Sequence, residues 1–189
     1  MEIKPRITVF TPTFNRAHTL PRTYESLKKQ RDKRFIWLII DDGSTDDTKQ
    51  LVSQWMKEND SFQIKYIYKE NGGMHTAHNI AYENIETELN VCIDSDDCLA
   101  ENAIDLILDF WDKSNHKNYA GIIGLDSDFD GNIIGSDLGN ITETTLSGFY
   151  ANGGRGDKKL VYRTDIINQY PPYPVFDGEK YVGLNYKTL

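Results

Sequence analysis

Residues Phe35–Ile40, FIWLII, form a near-continuous apolar run that ends at two aspartates, Asp41 and Asp42. A run that is apolar on both alternating faces reads as a strand covered from both sides, as in a parallel sheet. The arrangement recurs along the first hundred residues. ITVFTP (Ile7 to Pro12) leads into TPTFNR, FQIKYIY (Phe62 to Tyr68) into ENGGMHTAHN, and Asn90 to Ile93 into DSDDC. Helical patterns separate these runs. Leu20, Tyr24 and Leu27 share one face. Ser44 and Asp47 fit a capping box ahead of a helix burying Leu51, Val52, Trp55 and Met56. Met74 to Ile85 is helical, and Ile104, Ile107, Leu108 and Trp111 mark a further amphipathic helix. Strands alternating with helices imply an α/β fold with a parallel sheet and right-handed crossovers. All four polar clusters then fall on the carboxyl edge of that sheet, where open α/β sheets hold ligands.

After Tyr119 the pattern changes. AGIIGLDSD reads as a strand, Asp130-Gly131 as a hairpin turn with Ile133 and Ile134 returning, and Ser147 to Lys159 as a mobile glycine-rich loop. KLVYRTDII (Lys159 to Ile167) reads as a strand entering a short helix, and Pro171, Pro172 and Pro174 break the chain again. At 189 residues the chain is expected to be a single domain. Residues 1–118 are its ligand-binding half and 119–189 the remainder, with truncation at the C-terminus as one reading of where it stops.

Composition narrows the function. Hydrophobic residues at 39% and charged residues at 26% allow a packed core. A net charge of −8 argues against a nucleic-acid partner. It leaves a phosphorylated ligand open, because a bound cation reverses the local sign. No signal peptide is visible, and no window reaches the roughly 20 apolar residues of a membrane span. Cys92 and Cys98, roughly 20 Å apart if the intervening residues are extended, are too far apart for a disulfide. They read as reduced thiols of a cytoplasmic protein.

In IDSDDC, Asp94, Ser95, Asp96 and Asp97 follow the apolar Val91, Cys92 and Ile93. Three crowded carboxylates repel one another unless a cation joins them, and a divalent metal is the usual one. The competing structural reading makes Asp96 or Asp97 the cap of a helix starting near Glu101. In the third cluster, Asn71, Gly72 and Gly73 precede a helix, where glycines allow close backbone approach and the helix start favours anions.

Together TPTFNR, IIDDGSTDDT, NGG…AHN and IDSDD resemble the inverting glycosyltransferases of family 2, which have the GT-A fold and a DXD motif. The resemblance is strong over roughly the first hundred residues and weaker beyond. It implies a nucleotide-diphosphate sugar donor, most often a uridine one. Pro12, Thr13 and Phe14 would line the nucleoside pocket together with Thr11, Asn15 and Arg16, although Asn15 and Arg16 also read as a solvated turn. Asp42 would accept from the uracil N–H with Asp41 beside it. Asp94 would face the ribose or a metal-bound water, near Ser95, and Asp96 would bind Mg²⁺ or Mn²⁺ on the diphosphate. Asn71, Gly72 and His78 would complete the donor site. His78 stands where the family often has Arg, and it and His75 read equally well as solvated helix histidines. The catalytic base implied by the resemblance lies in FDGEKY: Glu179 first, Asp177 second, with a surface turn at Asp177-Gly178 as the plain alternative. Arg155 or Lys158, in the loop from Asn152 to Lys159, would meet the diphosphate unless that loop is merely a flexible connection.

The implied activity is metal-dependent hexosyl transfer to a saccharide or lipid-linked acceptor in bacterial surface polysaccharide biosynthesis. The implied location is cytoplasmic, with peripheral association at the inner face of the membrane. Oligomeric state is left open. One alternative is a nucleotide-sugar-binding module with little turnover, since the chain is short for the family. Another is a haloacid-dehalogenase-like phosphatase. That reading expects Thr or Val two places after the second acid, where Cys98 stands.

Overall fold

The computed structural model describes residues 4–114 and 118–184. Strands β1 (Ile7–Thr13), β2 (Phe35–Asp41), β3 (Gln63–Tyr68) and β4 (Leu89–Cys92) run parallel. Strand β6 (Lys158–Arg163) lies antiparallel beside β4, and β5 (Gly121–Leu125) antiparallel beside β6. The sheet order is β3-β2-β1-β4-β6-β5. The helices are α1 (Leu20–Lys28), α2 (Thr48–Glu58), α3 (Met74–Asn84), α4 (Ala103–Lys113), α5 (Leu146–Ala151) and α6 (Thr164–Ile167).

Alternation along the strands sends side chains into two cores. Ile7 and Val9 of β1 and Phe35, Trp37 and Ile39 of β2 face one core, with Leu20 and Leu27 of α1, Val52 and Trp55 of α2, and Ile104, Leu108 and Trp111 of α4. Phe10, Leu38 and Ile40 point the other way, against Ala77, Ala81 and Tyr82 of α3 and against Ile167 and Tyr173. This period of two on a sheet covered on both faces explains why FIWLII needs no polar interruption. Each fully buried Val, Leu, Ile or Phe side chain among them contributes about 1.5–3 kcal/mol.

The sheet is mostly parallel, as expected, with the last two strands forming an antiparallel pair added at β4. Several other expectations change. Ser44 and Asp47 make no capping box: α2 has no side-chain cap, and Asp46 accepts instead from the N–H and Oγ1 of Thr48. Met56 is 47% exposed, on the outer face of α2. Asp96 and Asp97 cap nothing, since α4 begins after Asn102. Residues 147–159 are not one loop: α5 occupies the first part, capped by Thr145 Oγ1 accepting from Gly148 N–H. The hairpin turn at Asp130-Gly131 is present, though short: Asp128 N–H donates to Asn132 O and Ile134 N–H to Asp126 O, around one bridge between Ser127 and Ile133.

Candidate functional site

The polar clusters do meet at the carboxyl edge. Thr13 at the end of β1 is in register with Asp41 at the end of β2, and Asp42 N–H donates to Thr13 O at 2.8 Å. The two following loops are laced together. Asn15, in the left-handed region at φ 54°, donates through its N–H to Ser44 Oγ and accepts from Thr45 N–H, both at 2.8 Å. Ala17 N–H donates to Asp46 Oδ2. Thr11 Oγ1 accepts from Trp37 Nε1 inside the core, whereas Thr13 Oγ1 is buried without a hydrogen-bond partner among the described residues. Pro12 is buried, while Phe14, 45% exposed, and Arg16 face solvent.

Asp41 and Asp42 are both buried, and both are engaged. Asp41 accepts from Ser44 N–H and from the Tyr66 hydroxyl. Burial first, then this bond, holds the Tyr66 phenol well above its ordinary pKa. Asp42 accepts at Oδ1 from Lys69 Nζ (2.5 Å) and Gly72 N–H (2.9 Å), and at Oδ2 from Gly73 N–H (2.8 Å) and Asn71 Nδ2 (3.2 Å). Four donors match the roughly four acceptor sites of a carboxylate. The turn before α3, expected to cradle a ligand anion, thus already holds Asp42. Gly73 is required there: its φ is +96°, and a Cβ would stand 2.0 Å from the Lys180 carbonyl oxygen.

The acid turn after β4 is positioned by α1. Arg22 donates to the Asp96 carbonyl, Thr23 Oγ1 to the Asp97 carbonyl at 2.8 Å, and Leu99 N–H to Ser26 Oγ. Ser95 is buried, while Asp94, Asp96 and Asp97 are exposed. Lys159 of β6 reaches among them, 3.7 Å from Asp97 Oδ2 and 3.9 Å from Asp126 Oδ1. Burial opposes its charge, but Asp126, Cys92, Asp97 and Asp94 together hold its pKa above the usual lysine value. Crowding by the surrounding chain raises the Asp94 carboxyl pKa; Lys159 opposes the rise, and Asp97, Asp96 and Asp126 add to it.

Among the described residues no three His, Cys, Asp or Glu side chains converge into a metal cage. The donor chemistry nevertheless suits a hard cation. The Lys159 ammonium already stands among these carboxylates. Mg²⁺ usually takes only one or two carboxylates, the rest of its shell being water and substrate phosphate.

The segment carrying Asp177 and Glu179 lies across α3. Tyr173 is buried, and Lys180 Nζ donates to Asn71 Oδ1 at 2.8 Å. Asp177 and Glu179 are both exposed, and Glu179 accepts from Tyr181 N–H. The histidines are not solvated. His78 is 5% exposed, packed edge-on to Phe10 and Tyr173 with Nε2 3.8 Å from Cys92 Sγ. His75 is 1% exposed, and neither ring nitrogen has a hydrogen-bond partner among the described residues. Lys158 is committed to the backbone: its ammonium donates to the carbonyls of Ile134, Arg155 and Asp157 and lies over the Phe149 ring. Arg155 is exposed. Cys92 and Cys98 are free thiols.

Sequence reasoning missed Lys69, Lys159, Tyr66 and Asp126. Lys69 directly precedes ENGG, so a cation next to a buried acid pair was within reach of the pattern. Lys159 belongs to a strand registered on β4 from far along the chain, and no local signal announces that.

Comparison with known proteins agrees with this architecture. The profile of glycosyl transferase family 2 matches residues 8–170. An uncharacterized glycosyltransferase of Rickettsia felis is 31% identical over 77% of this chain, but over 22% of its own length. The GalNAc(5)-diNAcBac-PP-undecaprenol beta-1,3-glucosyltransferase of Campylobacter jejuni is 31% identical over 64% of this chain and 38% of its own. The crystal structure of S. aureus TarS 1-349 superposes with a TM-score of 0.69 at 25% identity, covering 87% of this chain and 48% of that one. The chain therefore spans less than half the length of each of these proteins. The fold is the GT-A type that TarS shares, and the breadth of the profile match makes this chain a member of glycosyl transferase family 2.

Proposed function

We propose that the chain forms the donor-binding and catalytic part of an inverting, metal-dependent glycosyltransferase. It would take a sugar from a UDP-type donor and pass it to a hydroxyl of a saccharide or lipid-linked acceptor in surface polysaccharide biosynthesis. The observation that carries the reading is the joint placement of the β1 and β2 tips, the acid turn after β4 and the Glu179 segment around one sheet edge. Solved structures of TarS are described in complex with UDP and with UDP-GlcNAc, and the mannosyltransferase PcManGT from Pyrobaculum calidifontis with GDP-Man and Mn²⁺.

In this reading Pro12, Thr13, Phe14 and Asn15 bound the nucleoside, and the unpartnered Thr13 hydroxyl is the polar atom ready to meet it. Asp42 shapes that wall by gripping Asn71, Gly72 and Gly73; it accepts from a uracil ring only when one of its four donors swings away. Asp96 and Asp94 hold Mg²⁺ or Mn²⁺, which supplies Lewis-acid stabilisation of the charge on the departing diphosphate. Lys159 and Arg22 add positive charge along the same rim. Glu179, open to solvent, accepts the proton of the acceptor hydroxyl as that oxygen attacks the anomeric carbon.

The second reading is a donor-binding module with little turnover, in which the exposed Glu179, already accepting from Tyr181 N–H, takes no proton from an acceptor. Calorimetry with UDP and Mn²⁺, run beside a donor-hydrolysis assay, separates the two. Binding with turnover supports the enzyme, binding without turnover supports the module, and no binding defeats both. Among the described residues no helix is long and apolar enough to cross a membrane.

A further inference from the structure

Residues 174–181 contain neither helix nor strand, yet the proposed base stands among them. What fixes this stretch is α3. At one end Asn79 treats Tyr173 as a strand partner: its Nδ2 donates to Tyr173 O at 2.9 Å and its Oδ1 accepts from Tyr173 N–H at 2.8 Å. The Tyr173 side chain is buried against His78, and its hydroxyl donates to Leu184 O. At the other end Lys180 Nζ donates to Asn71 Oδ1. The Lys180 carbonyl lies so close over Gly73 that only a hydrogen fits beneath it. Asn71 in turn donates to Asp42 at 2.9 Å through the carbonyl and 3.2 Å through the carboxylate.

We propose that Asn79 and Lys180 are positioning residues that strap the two ends of the Glu179 segment, one onto α3 and the other onto the turn that opens it, so that the base is set by the same turn that walls the nucleoside pocket. The inference rests on the reading of Glu179 as base. Both ends must hold: a peptide pinned once can pivot, and a displacement of about 1 Å in a reacting group costs on the order of 10²-fold in rate. Asn79 uses donor and acceptor simultaneously, which Asp, Ala or Leu cannot reproduce at that spot. Lys180 reaches Asn71 through an exposed side chain, so Lys180→Met removes the tie without disturbing a core.

The test uses Asn79→Ala, Lys180→Met, their combination, and Lys180→Arg. Hydrogen exchange of the bonded backbone amides of Tyr173, Glu179 and Tyr181 is read first, because it does not depend on activity. Lys180→Met, which loses one hydrogen bond, is expected to exchange there about tenfold faster, Asn79→Ala, which loses two, at least as fast, and Lys180→Arg near wild type. Calorimetry should show UDP–Mn²⁺ affinity within about twofold of wild type, while kcat falls about 10²-fold at an unchanged donor KM. Unchanged exchange in the combined variant overturns the strap. So does faster exchange with kcat intact. A wild-type chain that neither binds UDP nor turns over defeats the donor reading instead, and the exchange comparison still decides whether α3 holds the segment.

Discussion

Lys69 Nζ lies 2.5 Å from Asp42 Oδ1, and the two side chains are 18% and 6% exposed. The pair joins the end of β3 to the end of β2 beneath the turn that opens α3. Losing one partner of a buried pair leaves the other charge unanswered. Lys69→Met should therefore destabilise the protein by about 2–4 kcal/mol, the remaining N–H donors to Asp42 moderating the loss. Chemical denaturation measures it. A double-mutant cycle with Asp42→Asn should return a coupling of roughly 1–3 kcal/mol, and additivity would show that the pair does not act together.

Lys159 offers a pH-dependent test. Its pKa is raised in the folded state, so its stabilisation is complete below the ordinary lysine value and fades only as alkaline pH passes the folded one. The Asp94 and Asp126 carboxyls, raised first by desolvation from the chain crowded around them, bind protons more tightly folded than unfolded, so ionising them costs stability as pH climbs past the ordinary carboxylate value. Lys159→Met removes the cation that offsets this cost. Thermal melts from pH 3 to pH 9 should show a deficit that opens near about pH 4 and grows to about 1–2 kcal/mol at neutrality. A deficit independent of pH would mean that packing, not charge, is lost.

The proposed metal role of Asp96 has a direct check. Asp96→Asn should bind UDP in Mn²⁺ no better than wild type binds it in EDTA, measured calorimetrically. The side chain is exposed and the turn is held through its backbone, so the fold should survive. Wild-type affinity in the variant would move the metal role to Asp94 or Asp97.

Glu179 and Asp177 can be told apart kinetically. Loss of a general base costs about 10²–10⁴-fold in rate. Glu179→Gln should show that loss in kcat with the donor KM unchanged, while Asp177→Asn stays near wild type. The opposite result would exchange their roles.

The first four strands and helices α1, α2 and α4 were legible from their hydrophobic periods, α3 from its place between two strands, and the ligand edge followed from topology. FIWLII could hardly be anything but an inner strand. Legibility failed where distant chain decides the outcome. Nothing near Lys158 or Lys159 indicates that one is fastened to backbone carbonyls and the other inserted among acids, because both fates depend on β6 pairing with β4. The histidines of α3 looked polar in a helix of low amphipathicity, and only the sheet beneath them reveals that His75 and His78 face inward. Asn79 was visible as part of a motif, but its partner lies 94 residues later.

Both Asp42 oxygens are received by N–H groups at the opening of α3. A helix start attracts one anion, and here the chain supplies its own. A phosphate group approaching that end meets a site already neutralised, while Arg22 and Lys159 remain farther along the rim, beside the β4 turn. The rim therefore has a direction: in the proposed reading, an elongated ligand with an uncharged head and an anionic tail has one favourable way to lie along it once a divalent cation joins Lys159 in offsetting Asp94, Asp96, Asp97 and Asp126.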